Sequence, residues 1–233
     1  MDVVLVPGFW LGAWSWDAVL PALLEAGHRP FPLTLPGLEN RDTERSGITL
    51  RDHVDAVVAQ LDALPGPNAL IGHSGGGAII HAAVDARPER VARAIYVDSG
   101  PLGDGAAINA ELKTTNGEIP LPAWSEFSED DLRDLGESLR ATFRERAVPQ
   151  PARVATDLQR LSDPRRYDVP VTIITCEFPS AVIKEWLAQG HPYVAELARI
   201  RGVEFVDLPT GHWPQFTRPV ELGEAIVAAL AVG

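Results

Sequence analysis

One stretch, residues 68–77 (NALIGHSGGG), limits what this chain can fold into more than any other. A short apolar run, Ala69-Leu70-Ile71, leads into Gly72-His73-Ser74-Gly75-Gly76 and then into a helix-like segment, Ala78-Ile79-Ile80-His81-Ala82-Ala83. A strand that turns this sharply into a helix forces the residue at the apex into a strained backbone conformation, and two positions to either side only residues without a Cβ fit. The turn lifts the Ser74 hydroxyl clear of the sheet. The following helix aims unpaired N–H groups and its positive dipole end at any negative charge that develops there. Glycine-rich turns containing serine are common, and it is the flanking strand and helix that mark this one as a nucleophile turn.

The remaining chain has the alternation such a turn requires. Residues 3–6 are a β-branched and leucine run ending at Pro7-Gly8, a buried strand delivering a loop. Residues 14–26 place Trp16, Val19, Leu20, Leu23 and Leu24 at helical spacing before Gly27. Residues 29–35 are the next strand candidate, weakened by Pro30 and Pro32. Thr49 and Asp52 form a capping box for a helix through Leu64, with Leu50, Val54, Val57, Val58 and Leu61 on one face. After the nucleophile turn a helix runs to about residue 86, and a strand over 91–97 ends at Asp98-Ser99-Gly100-Pro101. A strand over 170–175, helices over 181–188 and 193–200, a strand over 203–208 and a helix over 219–231 complete the series. Strand and helix in this rhythm predict an α/β fold with a mostly parallel sheet and helices on both faces.

Between residues 102 and 167 the rhythm breaks. Gly, Pro and polar residues come first. Ser128 with Asp131 then opens a helix carrying Leu132, Leu135, Leu139 and Phe143, and a second short helix is expected over 152–161. An insertion after a strand's C-terminal end lies over the mouth of an open α/β sheet, where ligands bind. Residues 102–167 therefore read as a helical cap within a single domain spanning 1–233.

Charge and cysteine content narrow the functional classes. A formal net charge of −12 lacks the basic face that nucleic acid and anionic membranes require. The one cysteine, Cys176, excludes an internal disulfide and is compatible with a reducing compartment. The opening MDVVLVPG has neither the basic region nor the apolar length of a secretory or spanning segment, so a cytoplasmic location is expected. No metal or other cofactor is expected, and oligomeric state is left open.

A serine hydroxyl needs a base within hydrogen-bond reach and a third group to orient that base. Of six histidines, His212 follows the last strand in a glycine-containing loop, at the same sheet edge as Ser74. It is the expected general base. His28 lies in a turn, His53 on an amphipathic surface helix, His73 points away from its neighbour Ser74, His81 reads as a structural histidine, and His191 is a rival in a loop. Gly75 and the loop Pro7-Gly8-Phe9-Trp10 would supply the N–H groups for an oxyanion, with Phe9 the expected donor because proline has none. Phe9, Trp10, Trp14 and Trp213 are expected near these loops, with Trp10 and Trp213 as candidate pocket walls and Trp14 and Trp16 as core packing.

GHSGG after a strand, VPGFW after the first strand, LPGL after the second and PTGHWPQF near the end together resemble the α/β-hydrolase superfamily over nearly the whole chain except the cap. VPGFWLGAWSW is similar to the opening loop of its methylesterase and hydroxynitrile lyase branch. The resemblance implies that the chain begins at the family's third strand, with about six strands in all, and that it is a serine esterase with the order Ser, acid, His. Pro7-Gly8 stands where the family often has His-Gly. Lyase members carry a threonine at the position of Gly8 and a lysine at that of Trp213, so this chain looks like an esterase rather than a lyase. The usual acid position falls on Pro179. Two substitutes remain: Asp98, where haloalkane-dehalogenase-like members place theirs, and Glu177, with the absence of a working acid as the third possibility. The expected substrate is a small, largely apolar carboxylic ester or lactone. A lyase, a cofactor-independent oxygenase and a catalytically weak ligand-binding protein are the alternatives on the same fold.

Overall fold

Along β1 (Asp2–Val6) successive side chains enter two different cores, Val4 and Val6 one and Val3 and Leu5 the other. This is the two-residue period of a strand buried on both faces. The structure, a computed structural model, describes residues 1–231, and β1 belongs to a six-stranded parallel sheet whose four inner strands are buried and whose edge strands are partly exposed. The last two residues of the expected 1–233 domain, Val232 and Gly233, lie outside the described residues. The other strands of that sheet are β2 (Arg29–Pro32), β3 (Asn68–His73), β4 (Val91–Val97), β7 (Val171–Thr175) and β8 (Val203–Asp207). A separate antiparallel pair joins β5 (Glu118–Ile119) to β6 (Gln150–Pro151). The helices are α1 (Leu20–Glu25), α2 (Leu50–Ala63), α3 (Gly75–Ala86), α4 (Glu137–Arg146), α5 (Ala152–Thr156), α6 (Ser180–Gln189), α7 (Pro214–Thr217) and α8 (Pro219–Ala231).

Sheet order is β2-β1-β3-β4-β7-β8, and every neighbouring pair is parallel. The chain steps outward from β1 to β2, then crosses back to place β3 on the other side of β1. That reversal opens a crevice at the C-terminal ends of β1 and β3. On one face Val4, Leu70, Tyr96 and Ile173 pack with Val54, Val57 and Leu61 of α2 and with Ile79, Ile80 and Ala83 of α3. On the other, Leu5, Ile71, Ile95 and Ile174 pack with Leu23 of α1 and Leu222, Ile226 and Ala229 of α8. Among the described residues no helix is long and apolar enough to cross a membrane.

Several elements are shorter than their periodicity predicts. The single helix expected over 14–26 is a 3-10 turn at Ala13–Trp16 followed by α1, because Pro21 lacks an N–H and can sit only in a helix's first turn. Trp16 is fully buried, whereas Trp14 is half-buried and stacks on Phe216, 5.5 Å between centroids. The strand expected over 29–35 ends at Pro32 on the sheet edge. The helix expected over 193–200 is two 3-10 turns, Pro192–Val194 and Leu197–Arg199. α5 stops at Thr156, and Gln159 beyond it is tied to the Ala106 and Ala78 carbonyls at 2.7 and 3.0 Å.

The break in the helix expected from Ser128 has the clearest cause. Ser128 and Asp131 do exchange their capping hydrogen bonds, at 2.9 and 2.7 Å. The turn nevertheless ends at Asp134, with φ of 63°, and α4 starts only at Glu137. The Asp131 and Arg133 carbonyls, which a continuous helix would keep for its own ladder, instead accept from His212 N at 2.9 Å and Gly211 N at 3.2 Å. The unexpected β5–β6 pair is likewise tied to a loop. Trp10 donates from Nε1 to Ile119 O at 3.0 Å and from its backbone N to Gln150 Oε1 at 3.3 Å.

Buried charges fix one more boundary. Arg166 bonds Asp85 of α3 at 3.1 Å and Glu196 at 2.8 Å. Glu196 also meets His81 Nε2 at 3.1 Å, whose Nδ1 lies 2.8 Å from the Tyr96 hydroxyl. A buried ion pair is stable only when its remaining polar atoms are satisfied, and here each has a partner.

Two substitutions test these local rules. Thr49→Ala removes the acceptor for Asp52 N and is expected to lower stability by about 1 kcal/mol, read as a lower urea midpoint with unchanged slope. In Gly211→Ala the new Cβ would lie 2.5 Å from the carbonyl oxygens of both Asp131 and Arg133. That contact should cost ~1–3 kcal/mol in the same measurement.

Candidate active site

Three strand ends and the last loop meet at the crevice. β3 runs into Ser74, whose φ of 52° and ψ of −126° lie outside the regions comfortable for a side-chain-bearing residue. The turn is that tight because α3 starts against β1. A Cβ on Gly76 would meet the Pro7 and Val6 carbonyl oxygens at 2.6 and 2.7 Å, and one on Gly72 the Gly76 carbonyl oxygen at 2.6 Å. The two positions flanking Ser74 are therefore closed to other residues, as the motif requires. Ser99 Oγ donates to the Ser74 carbonyl at 2.6 Å and braces the turn from β4.

Asp98 ends β4 with φ of 44°, a second strained residue at the same edge. Its Oδ1 accepts from the N–H groups of Cys176 and Glu177 at 2.9 and 3.2 Å, which turns Oδ2 toward His212. Asp98 Oδ2 lies 2.7 Å from His212 Nδ1, and Ser74 Oγ lies 2.8 Å from His212 Nε2. Both distances fall within hydrogen-bond range. Glu177 Oε2 stands 3.6 Å from the same Nδ1. Burial alone would lower the His212 pKa, but the hydrogen bond to Asp98 and the charges of Asp98 and Glu177 outweigh it and push it up to about 10. Ligand-type atoms of Asp98, Glu177 and His212 lie within 4.8 Å of one another, but His212 Nδ1 is committed to Asp98, so the three do not present a free set of metal ligands.

His73 does more than its position beside Ser74 implies. It is fully buried, and its Nε2 donates to the His212 main-chain oxygen at 2.6 Å, so it anchors the loop that carries the imidazole. Burial and then the nearby His212 charge push the His73 pKa down to about 3, which keeps the ring neutral. Nothing in sequence spacing marks this role, because it depends on a contact across 139 positions. The other histidines are occupied elsewhere. His53, expected on a surface helix, is buried with Nε2 on Pro36 O at 2.8 Å, and His191 stacks on Trp186.

The loop after β1 lies directly on the Ser74 turn. A Cβ on Gly75 would touch the Phe9 ring at 2.6 Å, and one on Gly8 would lie 3.1 Å from Ser74 Cβ. Among the described residues the N–H groups of Phe9 and Gly75 make no hydrogen bond. Trp10 and Trp213 are both buried and both line a cavity of about 1260 Å³ that opens over Ser74 and His212. Ile108, Leu112, Ile119 and Phe127, from between β4 and α4, line its far side. Trp213 also packs edge-on against His212 at 5.2 Å and against Phe127 at 5.4 Å, so it backs the imidazole as well as walling the cavity.

Comparison with known proteins agrees with this architecture. The chain is 32% identical over 248 residues to the carbendazim hydrolyzing esterase of Nocardioides sp., covering 97% of this chain and 98% of that one. It is 34% identical over 105 residues to putative methylesterase 14 of Arabidopsis thaliana, a match covering 44% of this chain and only 30% of the relative's length. An extracellular α/β-hydrolase from a Paenibacillus species superposes with a TM-score of 0.78 at 20% identity over 98% of both chains. An Arabidopsis methylesterase superposes with a TM-score of 0.74 at 19% identity over 99% of both. At such identities the superpositions speak for the fold. The alpha/beta hydrolase family profile matches residues 3–225, and this chain belongs to that family.

Proposed function

We propose that this chain is a serine hydrolase of carboxylic esters, with Ser74 as nucleophile, His212 as general base and Asp98 as the acid that orients it. The observation that carries this reading is the unbroken line from Asp98 Oδ2 through His212 to Ser74 Oγ, at 2.7 and 2.8 Å. The esterase and methylesterase names of its relatives support it independently.

In acylation His212 Nε2 takes the Ser74 proton as Oγ bonds to the ester carbonyl carbon, and the carbonyl electron pair moves onto oxygen. The N–H groups of Phe9 and Gly75 hold that oxyanion, Gly75 with the added field of the α3 N-terminus. Collapse breaks the bond to the leaving oxygen, which takes the proton from Nε2 and departs as the alcohol. Water then repeats the sequence on the acyl-enzyme, releasing the carboxylic acid and returning the proton to Ser74. Asp98 accepts from Nδ1–H throughout, fixing the tautomer and stabilising the imidazolium.

Residues 102–167 act as the cap over this site. Its apolar side chains and the aromatic walls Trp10 and Trp213 favour an uncharged acyl or aryl group at the reacting centre. A cavity of about 1260 Å³ admits ester substrates larger than the short-chain compounds used in assays. Ser74→Ala is expected to cut hydrolysis of p-nitrophenyl acetate and butyrate by more than about 1000-fold and to abolish labelling by a fluorophosphonate. Labelling that persists in this variant would overturn the assignment.

A further inference from the structure

Two carboxylates face Nδ1 of His212. Asp98 Oδ2 is 2.7 Å away and Glu177 Oε2 is 3.6 Å away, from the ends of the adjacent strands β4 and β7. The backbone that carries Glu177 is itself fixed to Asp98, through the N–H groups of Cys176 and Glu177. Asp131, on the turn before α4, lies near enough to Glu177 that burial and then this neighbouring carboxylate raise its pKa above that of a free aspartate. Arg133, on the same turn, is paired with Asp130 and meets Glu177 at its main-chain oxygen.

We propose that Glu177 is a second positioning residue for His212, forming with Asp98 a two-carboxylate cradle that orients the ring and sets the pH range in which it can accept a proton. This rests on the serine-hydrolase reading above. The base must be neutral to take the Ser74 proton. A group whose pKa is raised stays protonated over a wider range, so the rate climbs with pH until it passes that pKa. The other groups around the ring do not counter this. His73, its ring centroid 5.1 Å from that of His212, is neutral, Cys176 is pushed up by burial and by the same two carboxylates, and the exposed Tyr193 is raised as well, so none of them carries a charge near neutral pH.

Removing the Glu177 charge lowers the His212 pKa, which moves the acid limb of the profile to lower pH. The test is the pH profile of kcat/KM, with an NMR titration of the His212 imidazole in the resting protein. Glu177→Gln should lower both midpoints by about one pH unit and also lower plateau kcat by about threefold or more, as a less firmly oriented ring requires. Glu177→Asp keeps the charge and should stay nearer the wild-type midpoint. On an Asp98→Asn background, adding Glu177→Gln should cost at least about a further tenfold in kcat/KM. Midpoints in Glu177→Gln that match wild type would overturn the proposal. If hydrolysis proves independent of Ser74, the hydrolase reading fails, and the NMR midpoint alone still decides the role of Glu177.

Discussion

The approach of α3 to β1 governs the geometry of this molecule. Gly76 sits against the carbonyls of Val6 and Pro7 so closely that no Cβ fits, and the helix can start there only if Ser74 takes a left-handed, strained conformation. That strain costs on the order of 1–3 kcal/mol and persists because the buried runs of β1, β3 and β4 over-determine it. From the same contact follow the elevation of the serine hydroxyl, the placing of the Phe9 loop beside it and the aim of the α3 N-terminus. Asp98 and Trp10, also at positive φ, are held at this edge by comparable means. Asp98 is clamped by two backbone N–H groups, and Trp10 by the β5–β6 pair.

Features determined locally were legible in the chain. The capping box at Thr49, the strand-turn-helix around Ser74, the burial of β1 and the span of α8 all follow from residues adjacent in sequence or one helical turn apart. Ser74 and His212 could be paired because both follow strands of one parallel sheet, and such strands end at a common edge. Choosing between Asp98 and Glu177 needed distances, since both carboxylates end neighbouring strands and differ by less than an ångström in their approach to Nδ1. Hidden altogether were contacts that trade local for distant hydrogen bonds. Ser128 and Asp131 announce a helix, but the carbonyls that would continue it are taken by Gly211 and His212.

Polar burial in this protein divides into two kinds. Around Arg166 every charge is matched, and Asp85, Glu196, His81 and Tyr96 close a network that holds the 196–200 segment to α3. Around His212 the balance is uneven, with two carboxylates on one imidazole and a neutral histidine behind it. Matched networks rigidify, whereas an unbalanced one leaves a group whose proton occupancy changes with its surroundings.

The bonds from Gly211 and His212 to the carbonyls of Arg133 and Asp131 also bear on how the molecule can be taken apart. Main-chain hydrogen bonds tie residues 131 and 133 to the histidine loop, so excising residues 102–167 would do more than uncover that loop: it would remove the acceptors of the Gly211 and His212 N–H groups and leave the loop without its seat. Chimaeras that exchange this segment between relatives must therefore carry the 128–134 turn with the histidine loop, as a single inherited unit whose two halves lie far apart in the chain.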